Sequence, residues 1–191
     1  MKLVVGLGNP GKEYEGSRHN VGFLVIDLLA EANGEKWKTE SKHQALTCKI
    51  IMDATQVLLA KPTTFMNLSG QAVSSLVKYY KIKSNDILVI QDELDLEPGS
   101  LRFTDGGKPG GHHGLESIQE MMPDVDFARL RIGVGKPKNK TAGKDWVLTK
   151  PKGKEAELIG QAAQDAAQAI TDWIIKGLEA SMNVWNGTRN T

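Results

Sequence analysis

His19, Asp92 and two asparagines stand where buried strands run out, and their side chains can do more than pack. The apolar run Leu3 to Val5 gives way to Gly6, and then to Asn9, Tyr14 and His19. The run "LLAKP" leads into "TTFMN", Thr63 to Asn67, and "DILVI" leads into Gln91, Asp92, Glu93 and Asp95. In open α/β sheets, ligands bind in the crevice beyond the carboxyl ends of the strands. Asn9, Asn67 and Asp92 therefore converge if their strands are parallel neighbours. A carboxylate that reaches the His19 ring fixes its tautomer and favours the imidazolium formed when the other nitrogen accepts a proton. Such a pair can draw a proton from water in a hydrolysis. Taken alone, a histidine before a helix is more often a cap or a satisfied surface group.

Other chemistries find less support. "GLGNPG", Gly6 to Gly11, has the G-x-G-x-x-G spacing of a dinucleotide-binding turn. That turn needs a helix straight after it, yet eight polar residues, "KEYEGSRH", follow Gly11. Glu13 and Glu15 would repel a pyrophosphate, and the acids at suitable distance, Asp27 and Glu31, fall inside an amphipathic stretch. No G-x-S-x-G is present, and Cys48 sits within an apolar strand as a core thiol. The loop Gly106 to Gly114, "GGKPGGHHG", is either a flexible connector or a backbone cradle for a phosphate or substrate. Its adjacent His112 and His113 are poor candidates for one metal ion, and neither H-x-x-x-H nor a cysteine-rich partner motif accompanies them.

The 191 residues suit one domain, and the net charge of +1 describes a chain that is not polybasic as a whole. The charge is unevenly spread. Residues 128–154 hold nine Lys or Arg (Arg129, Arg131, Lys136, Lys138, Lys140, Lys144, Lys150, Lys152, Lys154) against one acid, Asp145. That segment is either a solvated loop or a phosphate-binding surface. No apolar run approaches the ~18 residues of a membrane span. The opening Met-Lys-Leu-Val-Val-Gly lacks a cleavable signal pattern, and a single cysteine fits a reducing compartment, so a cytoplasmic protein is expected.

The elements that must position these residues follow from periodicity. Residues 2–7 and "DILVIQDEL" read as buried strands, and "QALTCKIIM" and "QVLLAKP" as an antiparallel hairpin around Asp53-Ala54-Thr55. A helix follows Asn20 and stops near Gly34, with Asn20 as N-cap; another, capped by Asn67, runs to Tyr80. "SLRF" and "ARLRIGVG" are further strands, with a helix from about Leu115 between them. One closing helix, Glu155 to Met182, aligns Ile159, Ala163, Ala166, Ile170, Trp173, Ile174 and Leu178 on a stripe. Strands alternating with helices indicate an α/β domain around a mixed, partly parallel sheet.

Five segments in order closely resemble bacterial peptidyl-tRNA hydrolases: "GLGNPGKEYEGSRHNVGF", "KPTTFMNLSG", "QDELDLEPGSLRF", "GGHHGLESI" and "FARLRIGVGKP". The resemblance implies a single domain over residues 1–191, a twisted mixed sheet surrounded by helices, acting as a monomer without metal or cofactor. It implies cleavage of the ester between a peptide and the 3′-terminal ribose of tRNA. By motif, His19 resembles the base that activates water and Asp92 the carboxylate that orients it. Asn9 resembles the residue that helps separate N-blocked from free aminoacyl ends. Asn67, with Phe65, Met66 and Tyr14, resembles part of the peptide and terminal-nucleotide site, and His112 and His113 fall in the substrate loop. Arg102 and Arg131 match positions facing tRNA phosphates. One departure stands out: the family loop reads Gly-Gly-His-Asn-Gly, and His113 takes the place of that asparagine. Two other readings use the same features, a non-catalytic RNA-binding domain and a nucleotide-dependent oxidoreductase. The first has no need of His19 paired with Asp92, and the second requires nicotinamide binding.

Overall fold

The computed structural model describes residues 1–137 and 143–186. Its strands are β1 (Lys2–Gly6), β2 (Lys38–Glu40), β3 (Ala45–Met52), β4 (Thr55–Pro62), β5 (Ile87–Glu93), β6 (Leu101–Asp105) and β7 (Ala128–Gly133). Its helices are α1 (Val21–Ala32), α2 (Ser69–Tyr80), α3 (His113–Met121), α4 (Gly143–Leu148), α5 (Gly153–Lys176) and α6 (Leu178–Trp185). The strands form one mixed sheet in the order β2-β3-β4-β1-β5-β7-β6. The inner strands β4, β1, β5 and β7 are parallel; β3 runs antiparallel to β4 and β6 antiparallel to β7, and β2 pairs antiparallel with β3 at the outer edge.

The apolar runs are continuous because the inner strands are covered on both faces. Side chains alternate along a strand. Val4, Leu59, Leu88 and Ile90 therefore pack under α1 and α5 with Trp173 and Ile170. Leu3, Val5, Leu58 and Val89 pack on the other face with Val73 and Leu76 of α2 and Leu115 and Ile118 of α3. Each such side chain contributes roughly 1.5–3 kcal/mol by leaving water.

Glycines in the opening turn serve close packing. A Cβ on Gly6 would lie 2.3 Å from the Gly22 carbonyl oxygen, and one on Gly22 would lie 2.5 Å from Leu7 N. The two glycines let the start of α1 press onto the end of β1, so the turn is a helix–strand contact. Gly11, with φ 112, turns the chain into the polar loop.

Two expectations change and one is extended. The hairpin is present, but its second strand also lies parallel to β1, so β1 has parallel neighbours on both sides. Neither Asn20 nor Asn67 caps a helix with its side chain; α2 begins at Ser69, whose hydroxyl donates to Met66 O. The single closing helix is two, because Gly177 at φ 85 turns the chain between α5 and α6. The break has a use: the Asn186 carboxamide, just past α6, accepts from Phe103 N at 2.7 Å and donates to Phe103 O at 2.9 Å. The backbone of Phe103 on the open side of edge strand β6 is thus satisfied. Among the described residues, no helix is long and apolar enough to cross a membrane.

Candidate active site

The crossovers leave the ends of β1, β4 and β5 side by side, and the polar loops after them meet there. His19 lies in a short turn, Arg18–Asn20, directly ahead of α1, and Asp92 is the penultimate residue of β5. Both are buried. His19 Nδ1 is 2.8 Å from Asp92 Oδ1, and His112 Nε2 reaches the same oxygen at 3.0 Å. The two rings lie 4.9 Å apart, centre to centre.

Burial alone would raise the Asp92 pKa, but the His19 and His112 rings outweigh it and hold the carboxyl well below the usual carboxylate range. An ionised Asp92 accepts and cannot donate, so the ring nitrogens facing it carry the protons. In a neutral His19 ring that arrangement leaves the lone pair on Nε2, as a general base requires. A cleft of about 360 Å³ opens beside the pair, lined by His19, Gln91, Asp92, Pro109, His112 and Val147 among others. Two buried atoms of this lining, Gln91 Oε1 and His112 Nδ1, have no hydrogen-bond partner.

Asn9 is held from two directions. Asn20 Oδ1 accepts from Asn9 N and Asn20 Nδ2 donates to Asn9 O, both at 2.9 Å. Asn9 Oδ1 accepts from Met66 N at 2.7 Å, which links the loop after β1 to the loop after β4. Met66 is buried, while Asn67 and Phe65 are exposed. Tyr14 meets Phe65 edge-on with ring centres 6.4 Å apart. The structure therefore brings His19, Asp92, His112, Asn9 and Met66 together, with Tyr14 and Phe65 paired in the same loops. A larger cavity, about 480 Å³, lies behind Asn9 against α1 and α5; it holds no imidazole–carboxylate pair.

The basic positions separate into different roles. Arg131 forms a two-point ion pair with Glu93 at 2.9 and 2.8 Å, and Arg102 sits opposite it in register and is exposed. Arg129 is buried, and donates to Lys108 O at 2.8 Å and to Gly107 O. It braces the glycine-rich loop and is withdrawn from any phosphate surface. Lys136 pairs with Asp95, and Lys150, Lys152 and Lys154 are exposed. Lys138, Lys140 and the Lys144 side chain lie outside the described residues.

Sequence reasoning places His112 in the substrate loop; the structure sets it in the lining of the cleft with its Nε2 on the Asp92 oxygen that His19 also meets, a contact the sequence does not indicate. Arg18, beside His19, is buried and heavily hydrogen-bonded, and nothing local in the sequence indicates this. Cys48 is buried, and burial pushes its thiol pKa up, as expected of a core thiol. His19, Asp92 and His112 also offer ligand atoms within 4.8 Å of one another, a spacing a cation can use. At 2.8 and 3.0 Å both imidazoles already satisfy an N–H on Asp92 without one.

The family model of peptidyl-tRNA hydrolase matches residues 3–191. The chain belongs to the peptidyl-tRNA hydrolase family. The peptidyl-tRNA hydrolase of Desulforamulus reducens is 46% identical over 187 residues, covering 97% of this chain and 89% of its own. That of Syntrophomonas wolfei is 43% identical over 186 residues, covering 97% and 100%. The crystal structure of peptidyl-tRNA hydrolase from Acinetobacter baumannii superposes with a TM-score of 0.92 at 37% identity, over 98% of this chain and 95% of that one. The fingerprint glycines need no dinucleotide to explain them, since Gly6 and Gly22 serve the contact between β1 and α1.

Proposed function

We propose that this chain hydrolyses the ester of peptidyl-tRNA with a water activated by His19 and Asp92. The observation that carries the reading is the buried 2.8 Å contact from His19 Nδ1 to Asp92 Oδ1, which directs Nε2 away from the carboxylate. The water oxygen attacks the ester carbonyl carbon as its proton passes to His19 Nε2. Asp92 stabilises the imidazolium. Collapse of the tetrahedral intermediate breaks the bond to the ribose 3′ oxygen, which takes the proton back. The products are a free peptide and a tRNA with a free 3′ hydroxyl.

Carboxamides both donate and accept, which suits Asn9 and Asn67 to reading a peptide amide and to stabilising the developing oxyanion. Tyr14, Phe65 and Met66 supply apolar and aromatic surface for the peptide and the terminal nucleotide. One copy carries the whole set, so the chain acts as a monomer in this reading. The test is hydrolysis of an N-acetyl-aminoacyl-tRNA with and without a chelator: turnover is expected in both, and binding without turnover would favour an RNA-binding domain instead.

Contact with tRNA falls to phosphate-binding residues, since A-form RNA is recognised largely by backbone and shape. Arg131→Ala is expected to weaken tRNA binding and flatten its salt dependence while sparing a minimal ester substrate. Because Arg131 is paired with Glu93 at the end of β5, Glu93→Gln serves as the control. Equal damage to both substrates would assign Arg131 to support of β5.

His113 replaces an asparagine in the family pattern and opens α3 half exposed, its Nδ1 2.9 Å from Glu116 Oε2. We assign it a substrate contact that an imidazole, unlike a carboxamide, makes sensitive to acid. His113→Asn is expected to broaden the pH–rate profile on the acid side. Identical profiles and Michaelis constants in the two proteins would remove His113 from the site.

A further inference from the structure

Arg18 is 3% exposed and immediately precedes the proposed base. Its Nε and Nη2 donate to the two Glu155 carboxylate oxygens at 2.7 and 2.8 Å. Its Nη1 donates to Thr149 O at 3.0 Å, to Trp146 O at 3.3 Å and to Thr149 Oγ1. The guanidinium lies over the Trp146 ring, 3.6 Å from its centre, and Arg18 N donates to Thr149 O at 3.2 Å. A planar five-donor fork can meet a carboxylate, two carbonyls and a ring face at once; an ammonium cannot.

The partners of Arg18 are not scattered. Trp146 lies in α4, Thr149 follows it and Glu155 opens α5. A helix as short as α4 has little stability of its own, and its last carbonyls need donors. Arg18 supplies them, with a positive charge at the negative end of the helix dipole. A second attachment, Trp146 Nε1 to Gly135 O at 3.0 Å, fixes the other side. Between these fastenings sits Val147, buried and lining the cleft beside His19.

We infer that Arg18 is a positioning residue that sets Val147, and with it one wall of the substrate cleft, relative to the base. It touches no reacting atom. Its effect reaches the reaction through the width of the cleft, and so through the fit of the apolar part of the peptide. The inference rests on the cleft being the substrate site.

The test measures kcat and KM for N-acetyl-aminoacyl-tRNAs with a bulky or a small apolar side chain, well below the melting temperature. Arg18→Lys is expected to raise KM for the bulky substrate roughly 10-fold, since a displaced wall forfeits apolar contact with the bulky side chain in ground state and transition state alike. The small substrate should be affected less, and kcat by under about twofold. Thr149→Val removes one acceptor of Arg18 from an exposed position; it should shift KM in the same direction by about twofold. Combined with Val147→Ala, Arg18→Lys should be non-additive in KM. Equal KM changes for both substrates, additivity with Val147→Ala, or a loss confined to melting temperature would each overturn the inference. Failure of the cleft assignment would be visible separately, as undiminished turnover in His19→Ala.

Discussion

His19→Ala is expected to lower turnover of N-acetyl-aminoacyl-tRNA by about 10²–10⁴-fold, the contribution of a positioned general base. The loss should fall on kcat with little change in KM, because the lone pair of Nε2 is needed only as the water is deprotonated. Asp92 and His112 keep one hydrogen bond to each other in this variant, so the fold of the site survives. Melting temperature and tRNA affinity are therefore expected to stay near the wild-type values. Turnover within tenfold of wild type would show that the base lies elsewhere.

Asp92→Asn should cost a comparable factor by a different route. A carboxamide can present an NH₂ to His19 Nδ1 and leave the proton on Nε2, the wrong tautomer for a base; the analogous change in a serine protease triad costs about 10⁴ in kcat. Loss of the anion also makes the imidazolium less stable, so the acid limb of the remaining activity should move to lower pH. The stability of the fold carries the matching signature. The Asp92 pKa is held below its unfolded value by His19 and His112 against the effect of burial. That contribution is present above the unfolded carboxylate pKa of about 4 and is lost as pH falls toward the folded one. Asp92→Asn should remove this acid-dependent part of the denaturation midpoint. A variant that keeps wild-type turnover, or an acid limb that does not move, would dissociate Asp92 from the base.

Much of the fold was readable because the inner strands are buried on both faces. Leu3 to Val5 and Ile87 to Ile90 are unbroken apolar runs, and their polar ends lie where the parallel order puts the crevice. The closing helix was read too long because the apolar spacing continues through Trp173, Ile174 and Leu178 across Gly177. Periodicity records which face is buried; only the backbone shows that the chain turns. Asn20 has the right type and place for a helix cap, but two hydrogen bonds to the Asn9 backbone take its side chain instead.

At the site, strand-end reasoning and the family motifs agreed on His19, Asp92 and Asn9. His112 was harder, since a glycine-rich loop has no periodicity to say where its side chains point. Arg18 was unreadable because its partners lie more than a hundred residues further along the chain. Arg129 shows the opposite failure. Counted with its neighbours it belongs to a basic segment, but its place in β7 buries it against the backbone of another loop.

The central claim is that His19 and Asp92 activate water directly, with no acyl-enzyme. Rapid-quench single turnover of a doubly labelled N-acetyl-aminoacyl-tRNA, following deacylated tRNA and free N-acetyl-amino acid together, tests it most directly. Both products are expected to appear with one rate constant, and that rate is expected to collapse in His19→Ala. A burst of deacylated tRNA ahead of the free N-acetyl-amino acid would contradict it.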